Sequence, residues 1–177
     1  DYKKIKELQY PVFIKPNKGG SSVATFLVRS EDEVEMAVRE GLKYDNEIII
    51  EEYINGEEIT SFVVNGEVFP TVKIKSKNSE FFDYASKYGE NGAEEEVVLL
   101  EEKLQEKINN ISKKVWDILG CNSYARIDMI IRDEVPYLLE VNTLPGMTTQ
   151  SLIPKSAKVR GLEFSDLLDK IIEYSLF

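Results

Sequence analysis

Histidine is missing from the chain altogether, and cysteine occurs once, as Cys121. Without imidazole there is no general base, nucleophile or metal ligand of that kind. A single thiol excludes an internal disulfide and is compatible with a reducing cytosol. No apolar run approaches the roughly 20 residues of a membrane span, and no signal-peptide pattern opens the sequence. Basic runs are also missing. Asp and Glu number 32 against 22 Lys and Arg, a formal charge of −10, which argues against nucleic acid or an anionic membrane as the main partner. Internal repeats and low-complexity tracts are absent too. At 177 residues and 42% hydrophobic, the chain has enough apolar surface for a core, as one domain or two small lobes. It begins at Asp1 and runs quickly into a strand, so it reads as a piece of something longer.

The rest is organised around Ala125–Ile131 and Tyr137–Asn142. Both arms alternate polar and apolar residues, the period of a half-buried strand. The intervening Arg132-Asp133-Glu134-Val135-Pro136 is short enough for an antiparallel hairpin. A hairpin centred on Glu134 sets Asp128 across from Glu140 and Arg126 across from Asn142, with all four on one face. Ile127, Met129, Ile131, Leu139 and Val141 then share the other. Like charges facing each other destabilise a sheet, and a buried acid pair takes up a proton or a cation. Two carboxylates and an amide oxygen form an all-oxygen set that suits Mg²⁺ or Mn²⁺ and not zinc. The competing reading is a solvated face on which Arg126 neutralises the acids; the hairpin alone leaves both open.

Upstream, Val12–Lys15 and Val23–Val28 read as strands around the loop Pro16-Asn17-Lys18-Gly19-Gly20-Ser21-Ser22. Adjacent glycines let backbone N–H groups converge into a phosphate-holding nest, with Lys15 beside it. No Gly-Lys-Ser/Thr order and no following helix occur, so this is not a Walker A loop. A plain hairpin tip is the bland alternative. Ser30–Glu33 reads as a capping box opening a helix with the stripe Val34, Ala37, Val38 and Leu42. Glu47–Ile54 is a strand leading into Asn55-Gly56-Glu57-Glu58, a natural hinge between lobes. Ile59–Val64 pairs through Asn65-Gly66 with Val68–Ile74. Glu51 and Glu58 flank the hinge, where they could accept hydrogen bonds from an adenine amino group or ribose hydroxyls, or simply be solvated.

Residues 76–96 lack a clear period and are long for a connection, which with Phe81, Phe82, Tyr84, Lys87 and Tyr88 favours a lid. Leu104, Ile108, Ile111, Val115 and Leu119 predict a helix ending at Gly120 and packing, with Trp116, on the apolar face of the hairpin. Thr143–Leu152 reads as a loop in which Gly146 brings a backbone N–H close to a ligand. Ser165 is expected to cap a last helix carrying Leu167, Leu168, Ile171 and Ile172.

In this order the motifs (Lys-Pro and a Gly/Ser loop, Glu-Glu-Tyr-Ile, Lys-Tyr, then Ala125-Arg126-Ile127-Asp128 through Glu140-Val141-Asn142-Thr143-Leu144-Pro145-Gly146-Met147-Thr148) closely resemble the D-alanine–D-alanine ligases of the ATP-grasp superfamily. The resemblance runs from about Pro11 to the C-terminus. It implies an α+β ATP-grasp fold: two lobes of antiparallel sheets with packed helices that grip ATP. Residues 1–53 would be an incomplete small lobe, and 54–177 the C-terminal lobe with lid 76–96 and metal-binding hairpin 125–142.

By position, the resemblance implies that Lys15, Ser21, Ser22 and the lid pair Lys87 and Tyr88 act at the nucleotide phosphates and substrate pocket. Glu51 and the backbone at Tyr53 and Ile54 would recognise adenine, and Glu58 the ribose. Asp128, Glu140 and Asn142 would hold two Mg²⁺ (or Mn²⁺) ions. Arg126 and the Gly146 amide would face the reacting carboxyl, and Ser151-Leu152 would anchor the second substrate's carboxylate. The implied reaction joins two D-alanines at the expense of ATP, through an acyl phosphate, in cytoplasmic peptidoglycan-precursor synthesis by a homodimeric enzyme. The chain departs from the family pattern at Gly19, where Glu is usual, and at Ala24, where Gly is usual. An upstream region is also missing, so the chain alone is expected to be inactive. Another ATP-grasp carboxylate–amine ligase, or a non-catalytic nucleotide-binding module, is the alternative.

Overall fold

The structure is a computed structural model that describes residues 7–20, 22–75, 94–98, 100–149 and 151–176. The described residues divide into two compact units, those up to Ile54 and those of Asn55–Lys75 together with the chain from Glu94 on.

In the first unit, β1 (Val12–Pro16) pairs antiparallel with β2 (Phe26–Val28) on one side and β3 (Ile48–Glu52) on the other. Alternation along β1 sends Val12 and Ile14 inward, where they pack with Val28, Val34 and Ala37. The last two belong to α1 (Glu31–Gly41). Phe13 and Lys15 take the opposite face. Ser30 is the N-cap of α1, but the expected box is not made, because the Ser30 side chain does not reach a helix N–H. Instead the Ser30 hydroxyl bonds Asp32 and holds its carboxyl below the usual range, while the Glu33 carboxylate accepts the Arg29 N–H at 2.8 Å. Leu42 lies past the helix end and is exposed; Gly41 takes the inward position.

The second unit is a sheet in the order β7-β6-β4-β8-β9, with β5 beside β4. Its strands are β4 (Glu57–Val64), β5 (Glu67–Val68), β6 (Val72–Lys75), β7 (Glu94–Val97), β8 (Tyr124–Arg132) and β9 (Val135–Asn142). The Asn65-Gly66 turn forms as expected, with both residues at positive φ. The segment expected to be a lid ends earlier than the sequence suggested, since Glu94–Val97 pairs with β6; the rest of that expectation, with Lys87 and Tyr88, lies outside the described residues.

Helix α2 (Glu102–Ile118) covers one face. Ile108 and Trp116 pack there with Ile59, Val63, Ala125, Ile127, Met129 and Ile131, as the helical spacing predicted. The helix ends where Gly120 adopts φ +59°. Its N–H and that of Cys121 satisfy the carbonyls of Asp117 and Trp116 at 3.2 and 3.0 Å, which is why a residue without a Cβ sits there. Leu119, expected in the buried stripe, is exposed.

The other face is covered at one end by α3 (Leu152–Val159) and α4 (Phe164–Ser175), whose Ile153, Ala157, Leu167 and Ile171 pack on Phe62, Val64, Phe69 and Val72. Helix α3 was not among the elements expected from the sequence; its Pro154 lies in the first turn, where proline is tolerated. Glu163, not Ser165, is the N-cap of α4, and its N–H donates to Asp166 Oδ2 at 3.2 Å. Ile172, expected in the core, faces outward. Among the described residues no helix is long and apolar enough to cross a membrane.

Candidate active site

Strand β8 runs between β4 and β9, so each β8 side chain has a neighbour on both flanks. The β8–β9 hairpin turns through only two residues, Asp133 and Glu134, both at positive φ. Near the turn Ile130 therefore faces Tyr137 and Met129 faces Leu138. Continued unbroken, that register would set Asp128 opposite Leu139 and separate the two acids. An irregularity after Asp128 inserts one extra residue, Leu139, into β9, and beyond it Asp128 faces Glu140 and Arg126 faces Asn142. The pairing is the one expected, but a bulge produces it and not a hairpin centred on Glu134. Leu139 is correspondingly exposed and does not join the core.

The four side chains meet. Arg126 Nε lies 2.9 and 3.2 Å from the two Asp128 oxygens, and Arg126 Nη2 lies 2.8 Å from Oδ2. Asn142 Nδ2 donates to Asp128 Oδ2 at 3.1 Å and to Glu140 Oε1 at 3.0 Å. Glu140 Oε1 is 4.0 Å from Arg126 Nη2. Thr60, across from Asp128 on β4, donates to Oδ1 at 2.6 Å. Sequence reasoning missed Thr60, whose only signal was a polar residue between Ile59 and Ser61 in a buried strand.

One arginine against two carboxylates leaves the cluster net negative. Among the described residues no three His, Cys, Asp or Glu side chains converge on a metal position, so an ion here needs the amide. The donor set fits a hard divalent cation. The Asn142 amide already touches both acids, and turning it end for end presents its oxygen between them. Glu58 stands on the same sheet face as Thr60, one alternation earlier on β4, across from Ile130.

In the first unit Lys15 Nζ lies 2.6 Å from Glu51 Oε2. The two groups expected at opposite ends of a nucleotide therefore neutralise each other on the non-core face of the sheet. Tyr53 packs its ring on Phe13, with centroids 5.7 Å apart, and its N–H is taken up by the Pro11 carbonyl at 3.3 Å. Along the glycine loop, the N–H bonds of the described residues run back into the chain itself. The N–H groups of Gly19, Val23 and Thr25 bond Pro16, Gly20 and Ser22 carbonyls, and the Lys18 N–H bonds Asp45 Oδ2 at 2.7 Å. That last bond lowers the Asp45 pKa and ties the loop to the α1–β3 connection. Ser22 and Ala24 both have positive φ, which gives a steric reason for the family's usual glycine at the second position. Ser21 lies outside the described residues.

After β9, Ser151 Oγ accepts the Thr148 N–H at 2.9 Å and lies 3.0 Å from Thr148 Oγ1. Leu152, half-buried at the start of α3, packs against the core on that face. Gly146 is exposed and has no positive φ. A Cβ built there meets only Ser151 Oγ, at an ordinary 3.6 Å. Nothing within the described chain requires glycine at this place. Gly146→Ala is accordingly expected to leave the thermal midpoint unchanged and to lower kcat/KM of the complete enzyme by about 100-fold, the scale of a substrate displaced by roughly 1 Å. Unchanged kinetics in a steady-state assay would remove Gly146 from the site.

Residues 2–173 match the family profile described as D-ala D-ala ligase C-terminus. The chain belongs to that family. It is 55% identical over 177 residues to D-alanine–D-alanine ligase B of Clostridium perfringens, covering 99% of this chain and 58% of that protein. A D-alanine–D-alanine ligase of Clostridium botulinum is 49% identical over 176 residues, with the same two coverages. Among solved structures, the Bacillus anthracis D-alanine–D-alanine ligase complexed with ATP superposes with TM-score 0.86 at 40% identity, covering 99% of this chain and 56% of that one. The VanG D-Ala:D-Ser ligase of Enterococcus faecalis does so with TM-score 0.85 at 32% identity, covering 97% and 51%. The chain therefore has the ATP-grasp α+β fold expected and spans little more than half the length of the relatives it matches.

Proposed function

We propose that this chain is the C-terminal portion of an ATP-dependent ligase that joins two D-alanines into D-alanyl-D-alanine for peptidoglycan precursors. The observation that carries this reading is the convergence of Asp128, Glu140 and Asn142 beside Arg126. The first unit is taken as the partial small lobe and the second as the C-terminal lobe.

Two Mg²⁺ or Mn²⁺ ions bound at Asp128, Glu140 and Asn142 would supply positive charge to the phosphate oxygens of ATP. Lys15, released from Glu51, adds to that charge with Lys87, and Ser21 and Ser22 close over the phosphates. Glu51, thus freed, accepts the adenine amino group beside the backbone at Tyr53 and Ile54, while Glu58 takes the ribose. One D-alanine carboxylate then attacks the γ-phosphorus, forming an acyl phosphate and ADP. The amino group of the second D-alanine, its carboxylate held at Ser151-Leu152, attacks the acyl carbon. Arg126 keeps Nη1 outside its contacts with Asp128, and with the Gly146 N–H it stabilises the oxyanion. Tyr88 closes the pocket. Phosphate leaves, and no covalent enzyme intermediate is formed, consistent with a chain free of histidine. A cytoplasmic homodimer is the proposed setting.

The test is phosphate release from ATP by the complete protein with D-alanine, D-serine or D-lactate as second substrate. D-Alanine is expected to give the highest kcat/KM, and this chain alone is expected to release none above background. Preference for D-lactate would overturn the assignment; preference for D-serine would favour the alternative of another ATP-grasp carboxylate–amine ligase, such as the D-Ala:D-Ser ligase VanG that the chain resembles.

A further inference from the structure

Thr60 is fully buried in β4 and sits directly opposite Asp128. Its hydroxyl has one proton to give. Of the two acceptors within reach, Asp128 Oδ1 lies at 2.6 Å and the Ile127 carbonyl at 3.4 Å, so the proton goes to the carboxylate. The hydroxyl is not needed for the strand itself, since valine has the same branching and suits a buried strand at least as well. What it contributes is orientation, because the terminal torsion of an aspartate is broad and a carboxylate turns freely unless held.

Two groups besides Thr60 hold Asp128: Arg126, through Nε and Nη2, and the Asn142 amide. Both have a second task in the reaction: Arg126 offers Nη1 to the oxyanion, and Asn142 exchanges its NH₂ for its oxygen. Thr60 has no such second task. We propose that Thr60 is a positioning residue of the divalent-ion site: it fixes Asp128 Oδ1 whatever Arg126 does and so reserves Oδ2, the oxygen beside Asn142, for the ion. The inference rests on the ion-site reading given above and adds the residue that orients the site.

Mn²⁺ alone is the probe, titrated into this chain and read by the electron paramagnetic resonance signal of the free ion. Thr60→Val is expected to weaken binding about 10-fold, the usual loss when a partner orienting a metal ligand is removed, and to broaden the spectrum of the bound ion. Thr60→Ser is expected to restore both. Glu140→Gln, in which a ligand itself is altered, is the reference. Binding lost in Glu140→Gln but unchanged in Thr60→Val would overturn the role of Thr60 and leave the ion site standing. Equal binding by the unaltered chain and Glu140→Gln would overturn the ion site and this inference with it. Circular dichroism accompanies each titration, and should Thr60→Val not fold, Thr60→Ala is read against Thr60→Ser on the same criteria.

Discussion

Glu140→Gln, alone or together with Asp128→Asn, is expected to abolish Mg²⁺-dependent ligation by the complete enzyme. The two acids differ in what else they support. The Glu140 side chain is 55% exposed, against 10% for Asp128. Exchanging the Glu140 carboxylate for an amide is therefore nearly neutral for folding. Asp128 is different: its oxygens accept from Thr60, Arg126 and Asn142. Loss of its charge leaves a guanidinium without its main partner, at a cost of about 1–3 kcal/mol. Glu140→Gln is thus the cleaner of the two, and the double variant is judged only alongside its own thermal midpoint. Ion-borne charge stabilisation at a phosphoryl group amounts to several kcal/mol, so phosphate release is expected to fall about a thousandfold or more. Full activity in Glu140→Gln with a normal melting curve would return the cluster to an ordinary salt-bridged sheet face.

That competing reading was present in the sequence, and the structure contains part of it, since Arg126 does chelate Asp128. Alternation in the two arms was enough to place four polar side chains on one face. It could not reveal the Leu139 bulge, because a bulge is decided by how a two-residue turn with both φ positive must be reconciled with the pairing further along. Thr60 was illegible for a related reason. Its partner lies 68 positions away, and only the pairing of β4 with β8 brings the two together. The capping interactions departed from expectation for more local reasons, although Ser30 does begin α1. Ser30 and Ser165 are of the preferred type, yet Ser30 bonds a neighbouring carboxylate and the α4 terminus falls two residues before Ser165. Leu42, Leu119 and Ile172 lie beyond or at the edge of their stripes, where helical spacing fixes the face but not how far the covering layer extends.

Gly56→Ala is expected to be the most damaging single methyl that can be added to the second unit. Gly56 has no positive φ, so the demand for glycine is not one of backbone freedom. A Cβ there would stand 2.3 Å from the Ile131 carbonyl oxygen and 2.6 Å from Ile130 Cγ2. The isoleucine side chain can turn away; the carbonyl cannot move without disturbing the pairing of Glu57 with Ile131 that starts the β4–β8 ladder. Overpacking of this kind costs about 1–3 kcal/mol, and with backbone as the obstacle the upper end is expected. Gly120→Ala supplies the contrast. A Cβ at Gly120 meets nothing within 4 Å, so only its left-handed conformation counts against the substitution, about 1–2 kcal/mol. Urea midpoints of the two variants at equal m-value measure the difference directly. Because Glu58 and Thr60 follow on the same strand, a shift of β4 forced by Gly56→Ala also reaches the Asp128 carboxylate. Mn²⁺ affinity is therefore expected to fall with stability in Gly56→Ala and to stay intact in Gly120→Ala. A Gly56→Ala chain with the stability of the unaltered protein would mean that β4 and β8 do not approach as closely as their paired register requires.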